Sequence, residues 1–181
     1  MAETQEELMS SEMQDQVIQR LASEVVEAFP DQRESLALIG IQRRGASLAE
    51  RLKKYIDNQG SGPIEMGTLD ITLYRDDLST YGSQARVRES QIPFNVEDRV
   101  IILTDDVLYT GRTVRSALNA IVAYGRPRRI LLLVLVDRGH RELPIQADFA
   151  GLTIDTTLNQ IVHVHFEEHD GENNVLLHTR E

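Results

Sequence analysis

The chain of 181 residues contains no cysteine. That excludes a disulfide framework, a thiolate nucleophile and a cysteine-bound metal, and it fits a reducing compartment such as the cytosol. No apolar run approaches the ~20 residues that a membrane-crossing helix needs. The N-terminus is polar and acidic, unlike a secretory signal. Positive charge is scarce: 19 Lys and Arg stand against 29 Asp and Glu, a net charge of −10. Such a balance opposes non-specific binding to nucleic acid, which relies on cations neutralising phosphates. Internal repeats and low-complexity segments are missing as well. So are two phosphate-loop signatures: no Gly-Lys-Ser/Thr follows a glycine-rich loop, and no triple-glycine dinucleotide fingerprint is found.

What is present is the pattern of one α/β domain large enough for a full core. Residues 1–10 read as a frayed acidic end, and 11–181 as the domain. Met13, Val17, Leu21, Val25 and Phe29 recur every fourth residue, with Ile18 and Val26 beside them, which predicts a helix over 11–29. Short apolar runs at 36–41, 64–74, 100–103 and 130–136 predict strands, the last buried on both faces of a parallel sheet. Helices are expected at 45–57 and 113–124 between them. Ile161 to Phe166 and Val175 to Leu177 predict a closing pair of strands across the Asp170-Gly171 turn. Strand and helix alternate, so the sheet is expected to be mainly parallel, with a small cap built from the last strands and some N-terminal residues.

The richest stretch is VIILTDDVLYTGRTV, from Val100 to Val114. A buried strand runs into Asp105 and Asp106, then a loop of hydroxyls and glycine, then a helix. Carboxylates at a strand end, beside a helix N-terminus, suit a ligand that carries both hydroxyls and a phosphate. Leu108, Tyr109, Thr110, Gly111, Arg112 and Thr113 form the candidate phosphate loop, in which glycine permits close backbone approach. An ordinary polar strand–turn–helix is the competing reading, and Arg112 reads equally well as a solvated first-turn arginine. A glycosidase-like carboxylate pair fits less well, because adjacent residues on a strand point apart.

Three further loops follow strands. Gly40-Ile-Gln-Arg-Arg-Gly45 offers amides between glycines, with Arg43, Arg44 and Gly45 as an anion loop or a surface turn. Residues 75–91 are polar and long, with Arg75, Arg86 and Arg88 among carboxylates, and read as a mobile loop or an extended hairpin. The segment DRGHRELP places Asp137, Arg138, His140 and Arg141 after the buried strand. His163 and His165 alternate on one strand face, where a surface pair is favoured over metal ligation for want of a third spaced ligand.

ITLYRDDLS (71–79), DDVLYTGRTVRSAL (105–118) and LVDRGHRELPI (135–145), in that order, resemble the PyrR family of type I phosphoribosyltransferases. The resemblance runs from about Gln16 to the C-terminus. It implies a cytoplasmic uracil phosphoribosyltransferase that makes UMP and pyrophosphate from uracil and phosphoribosyl pyrophosphate (PRPP), with a hood near 146–178. It also implies roles. Asp105 and Asp106 would hold the ribose, and residues 108–113 the 5′-phosphate. Arg43, Arg44 and Gly45 would hold pyrophosphate, and Arg75, Arg86 and Arg88 would lie on a closing loop. Arg138 would read the base, oriented by Asp137, with His140 nearby and backbone groups of Val162 contributing. Mg2+ would enter on PRPP with no metal site of protein ligands alone. A homodimer or higher homo-oligomer is implied, with no membrane partner.

The family also implies a second function, UMP-dependent binding of the pyrimidine-operon mRNA leader as an attenuation regulator. Here the sequence departs from the pattern. Regulatory members read RIAHExxER in the first helix, where this chain has RLASEVVEA with Ser23 and Ala28. Threonine is common at the position of Arg43. No lysine or arginine occurs from Glu142 to Thr179, a stretch with seven acidic residues. The cations left for RNA are Arg20, Lys53, Lys54, Arg126, Arg128, Arg129 and Arg141.

Overall fold

The computed structural model describes residues 4–60, 62–77, 79 and 88–180. Along the chain run β1 (Thr4–Met9), α1 (Ser11–Ala28), β2 (Leu36–Ile41), α2 (Arg44–Asn58), β3 (Glu65–Leu69), β4 (Val100–Leu108), α3 (Arg112–Ile121), β5 (Arg129–Asp137), β6 (Phe149–Thr153), β7 (Gln160–His165), α4 (Glu167–Asp170) and β8 (Asn174–Thr179). Five strands form a sheet in the order β3-β2-β4-β5-β6, and all its neighbours are parallel. Alternate residues of the central strands feed two cores. Leu36, Leu38, Val100, Ile102, Leu131 and Leu133 face α1, α2 and the hood. Ala37, Ile39, Ile101, Leu103, Leu132 and Val134 face α3. A period of two with both faces covered is why these strands read as unbroken apolar runs.

β2 feeds β3 on one side, and β4 feeds β5 on the other. The chain therefore reverses direction across the sheet between β2 and β4, and the carboxyl ends of those two strands flank a crevice where such sheets bind ligands. The second sheet, β1-β8-β7, is antiparallel and is the hood.

Several expectations change. Residues 4–9 are not frayed: they pair with β8 from Thr4↔Thr179 to Met9↔Val175, because an edge strand of the hood offers them a hydrogen-bonding partner. The hood does not begin near 146, since β6 completes the parallel sheet. β3 ends at Leu69, with a separate 3-10 turn at Thr72–Tyr74. In α1, Met13 is 44% exposed and Gln14 is fully buried. The Gln14 amide donates to the His165 and Asn174 carbonyls at 3.0 and 3.3 Å, so a polar group binds the hood where an apolar stripe would predict none.

α2 enters tightly over β4. A Cβ on Gly45 would lie 2.5 Å from the Thr104 carbonyl oxygen, which is backbone and cannot swing aside. The Thr104 hydroxyl donates to the Gly45 carbonyl at 2.7 Å. Gly45→Ala should therefore destabilise the protein by about 1–3 kcal/mol, lowering Tm by about 2–12 °C. An unchanged melting curve would mean that α2 slides to make room.

Candidate active site

β4 runs on through Leu108, so both carboxylates belong to the strand and not to the loop after it. They alternate: Asp105 is 6% exposed, and Asp106 is half-buried. The Asp106 amide donates to Asp105 Oδ1 at 3.0 Å. Burial, and then the charge of Asp106, push the Asp105 carboxyl well above the usual range. With no salt bridge to either among the described residues, the two carboxylates store repulsion that a ligand can relieve.

A cavity of about 370 Å³ opens beside them, lined by residues 41–44, 70–72, Arg75, residues 105–107 and Thr113. It joins the end of β2 to the end of β4. Arg44 lies at its rim and is bound by Asp170 of α4, with Nη2 to Oδ1 at 2.6 Å. That hydrogen bond raises the Arg44 pKa against the opposing effect of burial. Arg43 is exposed and makes no ion pair among the described residues. The Gln42–Arg43 peptide is cis. On the far wall Asp70 accepts from the Thr72 amide and hydroxyl at 2.9 and 2.6 Å, and from the Arg88 amide. Those bonds, aided by the Arg88 charge, outweigh burial and hold the Asp70 carboxyl low.

A second cavity of about 190 Å³ adjoins the first, lined by Arg75, Asp76, Asp77, Thr110, Arg112, Thr113 and Ser116. It sits at the start of α3, whose cap Gly111 has φ +92. That φ favours glycine, and the site is tight, with Leu143 and Ile145 side chains beside it. The Arg112 guanidinium is engaged by Asp76 at 2.6 Å and Glu142 at 2.7 Å.

The loop after β5 completes the crevice. Arg138 is 5% exposed and lies over the Tyr109 ring at 4.0 Å. Its Nε donates to the Thr156 hydroxyl and its Nη2 to the Thr157 carbonyl, both at 3.3 Å. Asp137 makes no hydrogen bond to it among the described residues. Asp137 instead accepts from Arg141, twice at 2.7 Å, and from the Gly139 amide at 3.0 Å. Arg141 also donates to the Tyr109 and Ile145 carbonyls, stapling this loop to the one after β4. His140 Nε2 donates to the Thr156 carbonyl at 2.5 Å, and its ring meets Tyr109 edge-on at 5.9 Å.

The structure thus brings Arg43, Arg44, Asp105, Asp106 and Thr113 around one cavity, with Thr110 and Arg112 around the next. Arg138, His140 and Tyr109 cluster beyond the end of β4. Val162 stands in β7, which packs against β4, with its side chain in the core. Arg75 lines both cavities, the Arg88 amide reaches Asp70, and Arg86 lies outside the described residues. Sequence reasoning missed Asp70, Thr156, Thr157 and Asp170. Asp70 precedes the quoted ITLYRDDLS motif directly, which was the available signal. The other three act from the hood and its approach, where no local pattern marks them.

The Asp105 shift has a stability consequence. A carboxyl whose pKa is raised on folding costs nothing below the unfolded carboxylate range of about 4. Its cost appears as pH rises through the folded value. Asp105→Asn should therefore raise the Tm of the ligand-free protein near about pH 7, with the gain shrinking toward about pH 4. Melting curves across that range check it, and a pH-independent gain would contradict the burial account.

The sequence profile of the Phosphoribosyl transferase domain matches residues 4–170. The Bifunctional protein PyrR of Thermus aquaticus is 51% identical over 175 residues, covering 97% of this chain and 96% of that protein. The Bifunctional protein PyrR of Deinococcus radiodurans is 49% identical over 164 residues, covering 91% and 89%. Among solved structures, a hypoxanthine phosphoribosyltransferase of Trypanosoma cruzi is similar with a TM-score of 0.73, 17% identity and 97% coverage of both chains. One from Staphylococcus aureus gives 0.68 at 18% identity, covering 97% of this chain and 92% of that one. At such identities the solved structures speak for the fold alone. Near-complete alignment at about half identity is a stronger tie, and by it this chain belongs to the PyrR family of phosphoribosyl transferase domain proteins.

Proposed function

We propose that this chain transfers the phosphoribosyl group of PRPP to uracil, giving UMP and pyrophosphate. The observation that carries this reading is the Asp105–Asp106 pair, held at the reversal point of the sheet between an arginine loop and a helix N-terminus. Uracil N1 forms a bond to ribose C1, the bond from C1 to pyrophosphate breaks, and pyrophosphate leaves with the electron pair. The N1 proton is lost to solvent or to a bound oxygen. Positive charge develops on the ribose, and no covalent protein intermediate is needed, so catalysis is positioning plus electrostatics.

Asp105 and Asp106 accept from the ribose hydroxyls and face the developing cation with negative charge. The amides of residues 43–45 and the Arg44 guanidinium take the pyrophosphate. Thr110, Gly111, Arg112 and Thr113 wrap the 5′-phosphate, with Arg112 contributing its place in the first helical turn, since its side chain is held by Asp76 and Glu142. Asp70, Asp105 and Asp106 set three carboxylates opposite Arg43, Arg44 and Arg75 in one cavity. That suits a pyrophosphate that brings Mg2+ with it, the ion keeping water and phosphate oxygens as ligands. Arg138 donates to a uracil carbonyl, its direction fixed by Thr156, Thr157 and Tyr109. Arg75 and Arg88 stand beside the cavity where a closing segment would exclude water from the reactive sugar.

The double variant Asp105→Asn, Asp106→Asn should lose turnover by about 100-fold or more while keeping its fold. Unchanged UMP formation would remove the ribose assignment. Arg138→Ala should raise the uracil KM more than the PRPP KM. An equal rise in both would deny the arginine its place at the base.

A second reading, regulation through the pyrimidine-operon mRNA leader with UMP as the sensed ligand, is favoured by the family's bifunctional name. Its cations are thinly placed here. Arg126, Arg128 and Arg129 gather near Arg99 at the start of β5, interleaved with Glu34, Glu97 and Asp98. Arg20 bonds Glu24, Lys53 bonds Asp57, and Arg141 bonds Asp137. Binding to the leader RNA with and without UMP, at two salt concentrations, separates the readings. Tight, salt-sensitive, UMP-enhanced binding supports the regulator, and UMP synthesis without RNA binding supports the enzyme alone.

A further inference from the structure

One face of α2 meets α4 in three rungs. Arg44, Ser47 and Arg51, spaced i, i+3 and i+7, contact Asp170, His169 and Glu168 in reverse order. Arg44 donates to Asp170 at 2.6 and 3.3 Å. Ser47 Oγ and His169 Nε2 share a hydrogen bond of 2.8 Å. Arg51 donates to both oxygens of Glu168 at 3.1 and 2.7 Å and lies over the Phe166 ring at 4.7 Å. The middle and last rungs are docking contacts between helix and hood. The first is different, because Arg44 also lines the cavity that holds Asp105 and Asp106.

Asp170 is itself fixed. Its Oδ2 accepts from the Phe166 amide at 2.9 Å, closing the turn of α4. It grips Arg44 along the edge formed by Nε and Nη2. The other edge of the guanidinium, with the Nη1 hydrogens, makes no hydrogen bond among the described residues and can meet a ligand. An arginine at a loop end without such a grip would spread over many rotamers and lose that freedom on each binding event. A carboxylate fixed by backbone removes the spread in advance.

We propose that Asp170 of the hood is a positioning residue for phosphoribosyl transfer, aiming the Arg44 guanidinium at the pyrophosphate of PRPP. The inference rests on the phosphoribosyltransferase reading and adds to it a contact from outside the catalytic loops. Through it α4, which connects β7 and β8, sets the geometry on the pyrophosphate side, while Thr156 and Thr157, just before β7, hold Arg138 on the base side.

The test is calorimetric binding of magnesium pyrophosphate and steady-state kinetics for the wild type, Asp170→Asn and Glu168→Gln. Asparagine keeps an oxygen for the Phe166 amide, so α4 retains its turn, while the negative charge that faces Arg44 is lost. Glu168→Gln loosens the same hood through Arg51 without touching Arg44. Asp170→Asn should weaken pyrophosphate binding and raise the PRPP KM by about 5- to 20-fold, with the uracil KM within about twofold. Glu168→Gln should leave pyrophosphate binding unchanged. Equal or tighter binding in Asp170→Asn overturns the proposal, tighter binding making Asp170 a competitor of the ligand. Equal losses in the two variants also overturn it, making the effect one of hood docking. A wild type that binds neither PRPP nor pyrophosphate overturns the transferase reading itself, a result distinct from both.

Discussion

Everything at this site depends on how closely the first turn of α2 can approach the end of β4. A Cβ at Gly45 would collide with the Thr104 carbonyl, and one at Gly40 would lie 2.5 Å from the Ala46 Cα. With hydrogen at both positions, β2 can turn into α2 within three residues and bring Arg43 and Arg44 over the same cavity as Asp105 and Asp106. The Thr104 hydroxyl, fully buried, locks the approach by donating to the Gly45 carbonyl. Move the helix out by the width of a methyl group and the arginines leave the carboxylates. The glycines of this loop are therefore packing requirements first, and the ligand loop is a consequence.

That approach has an electrostatic cost, which the fold itself carries. Asp105 is buried beside Asp106, with no cation bonded to either among the described residues. Arg44, whose charge interacts with that of Asp106, is held by Asp170. Nothing in the fold needs two carboxylates at this point, and a folded core would be more stable without them. Their presence is intelligible as strain kept for a ligand with hydroxyl donors and a cationic transition state. The same logic explains why the adjacent loops carry so many internal bonds. Arg141 staples two loops through Asp137, Tyr109 and Ile145, so the pair is held on a rigid frame.

Much of this was legible because parallel strands and their loops are local in sequence. Leu36 to Ile41 reads as a buried strand and is one. The Asp105-to-Thr113 motif reads as strand, loop and helix start, and its residues line the two adjoining cavities. Where periodicity failed, the cause was a contact far away in the chain. Gln14 is buried because the hood carbonyls of His165 and Asn174 receive it. Residues 4–9 are ordered because β8, some 170 residues on, offers an edge. Asp137 looks placed to orient Arg138, its neighbour, yet adjacent strand-end side chains diverge, and the orienting groups come from Thr156 and Thr157. Local sequence locates the reacting groups, and distant sequence decides how they are held.

Charge makes the same point in the opposite direction. A net charge of −10 reads as a general deterrent to polyanions, but PRPP and pyrophosphate are themselves polyanions. The protein resolves this by placement. Arg112 is bound by Asp76 and Glu142, Arg51 by Glu168, and Arg141 by Asp137. These cations build the structure and contribute little field at long range. Arg43, with no ion pair among the described residues, and Arg44, gripped along one edge by Asp170, stand at the mouth of one cavity, with backbone amides and a helix start beyond them. A short-range cradle of this kind binds a compact, magnesium-bearing phosphate well, because its donors are preorganised at hydrogen-bonding distance. It does little for an extended phosphate backbone, which needs several unpaired cations spread along one face. The placement of the arginines, and not the net charge, is therefore what lets an acidic chain present a phosphate cradle at one cavity.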